Sequence, residues 1–259
     1  MIEITHLLEV AKRVALEAGK AILEVYDSGD FGVEMKSDKS PLTLADKAAH
    51  AIIASQLEET GLPLLSEEGR NINYEERKSW NYYWLIDPLD GTKEFIKRTG
   101  EFTVNIALMH AHIPVAGVIY APCIDILYYG SKETGVYKIE RGKEVQLSFI
   151  PKKRTIEELQ QKEQITIVAS KSHMNEETSD FINQFRNANL SSMGSSLKLM
   201  LVAEGVADIY PRLAPTMEWD IAAGHALLRS LNMGVYQTDL QTELLYNKEN
   251  LLNPSFIAF

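Results

Sequence analysis

The chain has 259 residues, of which 45% are hydrophobic and 24% charged, and its formal net charge is −10. This composition is typical of a globular protein, and no uncharged apolar run approaches the roughly 20 residues needed to span a bilayer. The acidic balance argues against a broad nucleic-acid surface, but it allows a small anionic substrate in one locally cationic pocket.

The cellular location is predicted from the cysteine content and the N-terminus. The one cysteine, Cys123, cannot form an internal disulfide, which fits a reducing compartment. The first residues carry no basic segment of the kind that begins a signal peptide. We therefore expect a cytoplasmic protein without a transmembrane segment, either a monomer or a homodimer. Peripheral association with the inner membrane stays open.

The first half of the chain predicts two helices followed by strands. Apolar residues recur at helical spacing over residues 4–27, before Gly29, and again from about Thr43. Short apolar runs then predict six strands, the last four as an antiparallel meander, at residues 62–65, 82–86, 103–109, 113–120, 126–129 and 135–139. Pro88 is expected to end the second strand because proline has no N–H group.

The second half alternates strands and helices. Residues 140–163 are charged and aperiodic, so we place the boundary between an α+β lobe (1–150) and an α/β lobe (151–259) there. Beyond it the pattern predicts strands at residues 165–169, 207–210 and 256–259 and helices at residues 176–185, 197–204 and 219–230. The predicted fold class is a layered α/β protein.

The stretch from Asp87 to Thr92 carries the chemistry that the sequence indicates most strongly. Asp87 and Asp90 lie three residues apart on a corner that follows an apolar strand. Hard cations such as Mg²⁺ prefer carboxylate oxygens of this kind. The N–H groups of Gly91 and Thr92 favour an anion. An ordinary Asp-Gly turn has the same sequence, so the motif alone leaves both interpretations open.

Three further acids lie at the ends of predicted elements. They are Asp46, Glu67 and Asp220. Helix capping explains Asp46 by itself, and a solvated turn explains Glu67. Element ends can nevertheless converge on one crevice, which is where ligands collect in layered α/β folds.

These acids belong to four motifs that together resemble a known family. The motifs are Pro41-Leu42-Thr43-Leu44-Ala45-Asp46, Ser66-Glu67-Glu68-Gly69, Asp87-Pro88-Leu89-Asp90-Gly91-Thr92 and Trp219-Asp220-Ile221-Ala222-Ala223-Gly224. In this order they resemble the inositol monophosphatase superfamily. Within it, the segments at residues 93–96, 100–105, 197–198, 210–212 and 215–220 resemble the 3′(2′),5′-bisphosphate nucleotidases of the CysQ type. Leu44 departs from the smaller residue that many relatives carry.

The resemblance implies an αβαβα sandwich and a Mg²⁺ cofactor. It assigns two Mg²⁺ ions, with room for a third on Glu67. The implied ligands are Glu67, Asp87, the Leu89 carbonyl, Asp90 and Asp220. Asp87 would bridge the two ions. Carboxylates crowded together without cations would raise one another's pKa values, so the bound ions would relieve that repulsion.

The resemblance also implies direct attack of water on a phosphomonoester. Thr92, hydrogen-bonded to Asp46, would orient and help deprotonate the water, with Glu67 assisting. One ion would activate the water while the other stabilises the leaving oxygen. The implied substrate-binding residues are Glu67, Leu89, Asp90, Gly91, Thr92, His173, Ser195, Lys198, Arg212 and Asp220.

The implied substrate is a small bisphosphate nucleotide, and no nucleic acid. The reaction would release the 3′-phosphate of 3′-phosphoadenosine 5′-phosphate (PAP), with the sulfated form (PAPS) as a further candidate. Such relatives act in sulfur assimilation and are often inhibited by lithium. Two alternatives stay open at this point: an inositol monophosphatase or broad sugar phosphatase, and a noncatalytic nucleotide-binding or regulatory protein.

Overall fold

The computed structural model describes residues 2–36, 40–150, 152, 154–169 and 175–259. The helices in this part of the chain are α1 (Ile4–Ser28), α2 (Leu44–Glu58), α3 (Tyr74–Arg77), α4 (Thr92–Ile96), α5 (Ile156–Gln160), α6 (Glu176–Ile182), α7 (Leu197–Ala203) and α8 (Glu218–Ser230). The strands are β1 (Glu34–Met35), β2 (Pro41–Leu42), β3 (Leu64–Ser66), β4 (Tyr82–Asp90), β5 (Thr103–His110), β6 (Ile113–Ala121), β7 (Ile126–Ser131), β8 (Gly135–Glu140), β9 (Lys143–Gln146), β10 (Ile165–Ala169), β11 (Ala188–Ser192), β12 (Tyr210–Arg212), β13 (Val235–Gln237) and β14 (Phe256–Ala258). None of the helices described is long and apolar enough to cross a bilayer.

A seven-stranded sheet forms the centre of the N-terminal half. Its strand order is β3 to β9, with β3 parallel to β4 and every later pair antiparallel. The predicted meander is therefore confirmed. Side chains of β4 alternate between two cores, because successive residues of a strand point to opposite faces. Trp84 and Ile86 pack with α1 and α2, whereas Tyr83 and Leu85 pack with α7 and α8.

The second sheet lies beyond α7 and α8. Strands β10 and β11 are parallel, β14 pairs with both β12 and β13, and a bridge from Ile167 to Ile209 joins the two groups. Helices α5 and α6 cover the outer face through a third core that contains Leu159 and Ile182. The layers run helix, sheet, helix, sheet, helix. The predicted αβαβα sandwich is confirmed.

Local signals explain the long helices. Gly29 adopts φ 75° after the end of α1, a left-handed conformation that glycine reaches without steric cost. Thr43 caps α2 through a capping box with Asp46. The shorter elements α3, α5, β1, β2, β9, β11 and β13 were not predicted, because runs of two to five residues carry too little periodicity. Strand β12 also lies three residues later than predicted.

The expectation that Pro88 ends the second predicted strand is wrong. Strand β4 continues to Asp90, and the pairing with β5 shifts between Asp87, opposite Asn105, and Asp90, opposite Thr103. A bulge of this kind accommodates a proline without a ladder hydrogen bond, and bulges redirect side chains near functional sites. The irregularity places both carboxylates at the end of one strand.

The predicted lobe boundary near residue 150 stays a proposal. We place it where the chain leaves β9, the last strand of the first sheet, and proceeds to α5. The two halves share a core, since α8 packs on β5 and β6 of the first sheet.

Close approach of the two halves gives a test of this packing. A Cβ on Gly117 of β6 would lie 2.3 Å from the Ala223 carbonyl oxygen of α8. We expect Gly117→Ala to lower the free energy of unfolding by about 3 kcal/mol, since neither backbone can yield easily. Gly142→Ala serves as the comparison, because Gly142 has φ 74° and open space around it, and should cost only about 1 kcal/mol. Urea denaturation measures both, and equal losses would contradict the assigned contact.

Candidate active site

The end of β3 and the bulge of β4 position Glu67 and Asp87. Strand β3 runs parallel to β4, with Ser66 opposite Ile86. The residues that follow this pair, Glu67 and Asp87, therefore lie side by side. The Glu67 N–H donates to the Ile86 carbonyl over 3.1 Å, which continues the pairing by one step. The structure therefore brings these two acids together, as the sequence predicted.

The bulge of β4 fixes the next part of the site. Asp87 is 1% exposed, and its Oδ1 accepts a 3.0 Å hydrogen bond from the Leu89 N–H. Gly91 has φ 92° and precedes the first residue of α4. Only glycine takes this backbone conformation readily, so the turn from Asp90 into α4 depends on it.

The start of α8 supplies Asp220. Its Oδ2 accepts a 2.9 Å hydrogen bond from the Met217 N–H. The Asn253 side chain donates to the Met217 carbonyl over 2.7 Å, and the Glu218 N–H donates to the Leu251 carbonyl over 2.9 Å. The C-terminal loop thus holds the first turn of α8, and with it the Asp220 carboxylate.

Crowding of these carboxylates raises their pKa values. Burial, then Glu67, Asp90 and Asp220, raise the pKa of Asp87 well above its usual range. Burial raises the pKa of Asp90 to about 6, although Lys198 and the Ser196 N–H oppose the rise. Burial and the charge of Asp90 also raise the pKa of Asp220. The positive charge near the cluster therefore does not offset the burial and mutual repulsion of its carboxylates.

Oxygen donors alone make up this cluster, and such a set suits Mg²⁺. Within the described ranges, however, no three Asp, Glu, His or Cys side chains are already arranged around one metal position. Lys36 borders the cluster: its Nζ lies 2.7 Å from Glu67 Oε1 and also contacts Glu68. Lys36 supplies one of the positive charges that a cation would otherwise provide. The chemistry of the donors fits a hard cation, and the Glu67 carboxylate contacts both Lys36 and Asp87.

Asp46 serves two partners at once. Its Oδ2 accepts hydrogen bonds from the Thr43 N–H, at 2.7 Å, and from the Thr43 hydroxyl, at 2.5 Å. The Thr92 hydroxyl lies 3.3 Å from Asp46 Oδ1 and 3.3 Å from the Leu89 carbonyl oxygen. The capping explanation and the predicted contact with Thr92 are therefore both correct. Burial raises the pKa of Asp46, which favours its acting as a proton acceptor.

A pocket of about 280 Å³ opens beside the carboxylates. Its lining includes Asp90 and Asp220 together with Ser195, Lys198 and Arg212. Ser195 Oγ and Arg212 Nε are buried and, among the described residues, have no hydrogen-bond partner. His173 lies outside the described residues. Two buried polar atoms without a partner thus belong to residues that line a ligand-sized space.

Lys198 lies beneath the pocket wall. The residue is 6% exposed, and its Nζ donates to the Met193 carbonyl over 3.1 Å and to the Ser195 carbonyl over 2.7 Å. An ammonium has three donors, so one is left for a ligand. Burial lowers the pKa of Lys198 to about 8, opposed by Asp90. The lysine is thus still mainly charged at neutral pH.

Several residues of the site were not predicted. Four residues contact the site through ion pairs or hydrogen bonds of the folded chain: Lys36, Glu101, Asn105 and Asn253. Glu101 and Asn105 occur in a segment that carried the family resemblance, but that segment suggested no role for either. Asn253 gave no signal, because nothing in a loop sequence shows that its side chain reaches the start of α8.

Comparison with known proteins places this chain in a family. Residues 3–256 match the family described as "Inositol monophosphatase family". The chain belongs to the inositol monophosphatase family. The predicted family membership is confirmed.

Relatives within this family are similar over nearly the whole chain. The 3′(2′),5′-bisphosphate nucleotidase CysQ of Salmonella typhimurium is 42% identical over 96% of this chain and 98% of its own length. CysQ of Escherichia coli K12 is 40% identical with the same coverage. The crystal structure of CysQ from Bacteroides thetaiotaomicron superimposes with a TM-score of 0.85 at 44% identity, covering 98% of this chain and 96% of that one.

The raised carboxylate pKa values predict how Mg²⁺ stabilises the protein at different pH. The pKa of Asp90 is 3.8 in the unfolded chain and about 6 in the folded chain. Between these pH values the metal-free folded chain binds more protons than the unfolded chain, so its free energy of unfolding falls as pH rises. Mg²⁺ binds the deprotonated carboxylates. The increase in Tm on replacing EDTA with Mg²⁺ should therefore be larger at about pH 8 than at about pH 5.

Calorimetry across this pH range measures the effect. Asp90→Asn is the control, because it removes one of the titrating carboxyls and should flatten the dependence. The same Mg²⁺-induced shift at both pH values would show that the cluster does not bind the ion.

Proposed function

We propose that the chain is a Mg²⁺-dependent phosphomonoesterase that converts PAP to AMP and phosphate. The observation that carries the proposal is full-length similarity, at 40–42% identity, to proteins named 3′(2′),5′-bisphosphate nucleotidase, combined with a pocket that joins a carboxylate cluster to basic residues. PAPS is a further substrate to be tested. Cytoplasmic location and inhibition by lithium stay predictions.

The proposed Mg²⁺ ligands are Glu67, Asp87, the Leu89 carbonyl, Asp90 and Asp220, and we expect two ions, with a third on Glu67 as an open question. Three of these groups lie on the bulge of β4, one follows β3 and one begins α8. When bound, the ions supply Lewis-acid stabilisation of the transferring phosphoryl group and lower the pKa of water. Glu67 already contacts Asp87, so a bound ion would have to compete with Lys36 only for Glu67 Oε1.

The chain's own residues would orient the attacking water. The Thr92 hydroxyl can accept a proton from water if its own proton moves to Asp46, whose Oδ1 lies 3.3 Å away. The raised pKa of Asp46 favours that transfer. Glu67 would assist, and the N–H groups of Gly91 and Thr92 would bind phosphoryl oxygens. A nucleophilic serine or cysteine is not needed.

The basic wall of the pocket would bind the 5′-phosphate. Arg212 donates from Nη2 to the Pro215 carbonyl over 3.2 Å, which orients the guanidinium and leaves other donors for an anion. Lys198 contributes its third donor and Ser195 its hydroxyl. The roles of these residues, and of His173, stay proposals. Because a monophosphate lacks the group they would bind, this wall favours a bisphosphate over the inositol monophosphate alternative.

A substrate panel at fixed Mg²⁺ tests the function. We expect phosphate release from PAP to exceed release from 3′-AMP and from inositol 1-phosphate by about one to two orders of magnitude in kcat/KM, the effect of one charge-assisted phosphate contact. Asp87→Asn should abolish release while the chain stays folded, as circular dichroism would show. Metal-independent release, or a preference for inositol 1-phosphate, would contradict the proposal.

The Thr92–Asp46 pair should act as a unit. We expect Thr92→Ala and Asp46→Asn each to lower kcat by about 10²-fold or more with little change in KM. The double variant should be scarcely worse than either single one, since residues acting together are not additive.

Thr43→Ala is the matched control for the capping role of Asp46. It removes the cap and should lower the free energy of unfolding by about 1 kcal/mol. Comparing kcat at a temperature where every variant is folded separates the two roles. Losses that simply multiply in the double variant would mean that Thr92 and Asp46 act independently.

A further inference from the structure

The turn of residues 193–196 forms one wall of the pocket, between β11 and α7. Ser195 within it has φ 44°, a left-handed conformation that is uncommon for residues other than glycine. Its hydroxyl is buried and, within the described part of the chain, unpartnered. Such a backbone persists only where its surroundings hold it.

The C-terminal end of the turn is fixed to the first sheet. The Ser196 hydroxyl donates to Asn105 Oδ1 over 2.8 Å and lies 2.8 Å from the Thr103 hydroxyl. All three side chains are buried. These contacts keep the Ser196 N–H facing Asp90, so this end of the turn does not depend on Glu101.

The other end of the turn is held by Glu101 and Lys198 from two sides. Glu101 Oε2 accepts a 2.7 Å hydrogen bond from the Gly194 N–H, while Lys198 donates to the carbonyls of Met193 and Ser195. The approach of Glu101 is close, because a Cβ on Gly194 would lie 2.6 Å from the Glu101 carbonyl oxygen. The acid therefore binds the N–H group of the turn and the lysine binds its carbonyls.

A carboxylate in this position is otherwise unfavourable. Glu101 lines a pocket that, under the proposed function, receives a phosphate beside Lys198 and Arg212. Like charges in one desolvated pocket oppose binding. The hydrogen bond to Gly194 gives a structural reason for an acid here that outweighs the repulsion.

We propose that Glu101 is a positioning residue for recognition of the substrate's second phosphate. Through the Gly194 N–H it keeps Ser195 in its left-handed conformation, so that Ser195 and Lys198 line the pocket beside Arg212. The inference rests on the proposed function, in which that second phosphate is the 5′-phosphate of PAP. Glu101, which precedes β5, thus joins the residues that determine substrate specificity.

Two substitutions at Glu101 separate the hydrogen bond from the charge. Glu101→Gln keeps an acceptor for the Gly194 N–H and removes the negative charge, whereas Glu101→Ala removes both. We expect KM for PAP to rise about tenfold in the alanine variant, as for loss of a hydrogen bond to a charged group, and to stay at or below the wild-type value in the glutamine variant. The kcat for PAP should change little in either.

The controls are a second substrate and a second acid. For 3′-AMP, which lacks the 5′-phosphate, kcat/KM should be nearly unchanged in Glu101→Ala. Glu94→Gln removes another acidic charge from the same pocket and should shift KM for PAP in the same direction as Glu101→Gln. Gly194→Ala should reproduce the PAP-specific loss of Glu101→Ala, because the added methyl group displaces the turn while the acceptor is intact.

Two results would overturn the inference. One is an equal loss on PAP and 3′-AMP in Glu101→Ala, which would indicate general damage to the site. The other is a change in the same direction for the alanine and glutamine variants, which would indicate that only the charge of Glu101 acts. If the wild-type enzyme shows no preference for PAP over 3′-AMP, the proposed function fails together with the inference. If the wild-type enzyme prefers PAP but the Glu101 variants give either of these two results, only the inference fails.

Discussion

Burial of several carboxylates at one point is the constraint on which the rest of this structure depends. An ionised carboxylate that loses water costs free energy unless charge or hydrogen bonds replace it. Here backbone N–H groups replace part of the lost water: Leu89 donates to Asp87, Met217 to Asp220 and Thr43 to Asp46. The raised pKa of Asp87 shows that they do not suffice. An imbalance of this kind favours cation binding, which supports the proposed Mg²⁺ site.

This constraint explains why the acids lie at element ends. A carboxylate within a regular strand or helix has few free N–H groups near it, because those groups bond within the element. At a bulge or a first helical turn, by contrast, N–H groups are unpaired and can turn toward an acid. The bulge after Asp87 and the first turn of α8 both provide this arrangement. Pro88 is compatible with the bulge because no ladder hydrogen bond is required of it there.

The sequence was informative where periodicity or a motif extended over many residues. Helix α1, the meander and the approach of Glu67 to Asp87 were predicted correctly, since long periodic segments determine element type and the two acids follow paired apolar strand residues. Short elements such as β9 and β13 were missed. Contacts between distant segments could not be predicted either. The bond from Asn253 to the start of α8 depends on how a loop folds back, and no local pattern encodes that.

The site also couples the two halves of the molecule. The first sheet supplies the acids of β4, whereas the second half supplies Asp220 and Arg212, so their spacing depends on how α8 packs against β6. That packing is close, with Gly117 against the backbone of Ala223, three residues after Asp220 in the same helix. Rigid packing resists small displacements. Because a shift of α8 would move one carboxylate relative to the others, the core that stabilises the fold also sets the distances on which the proposed metal binding depends.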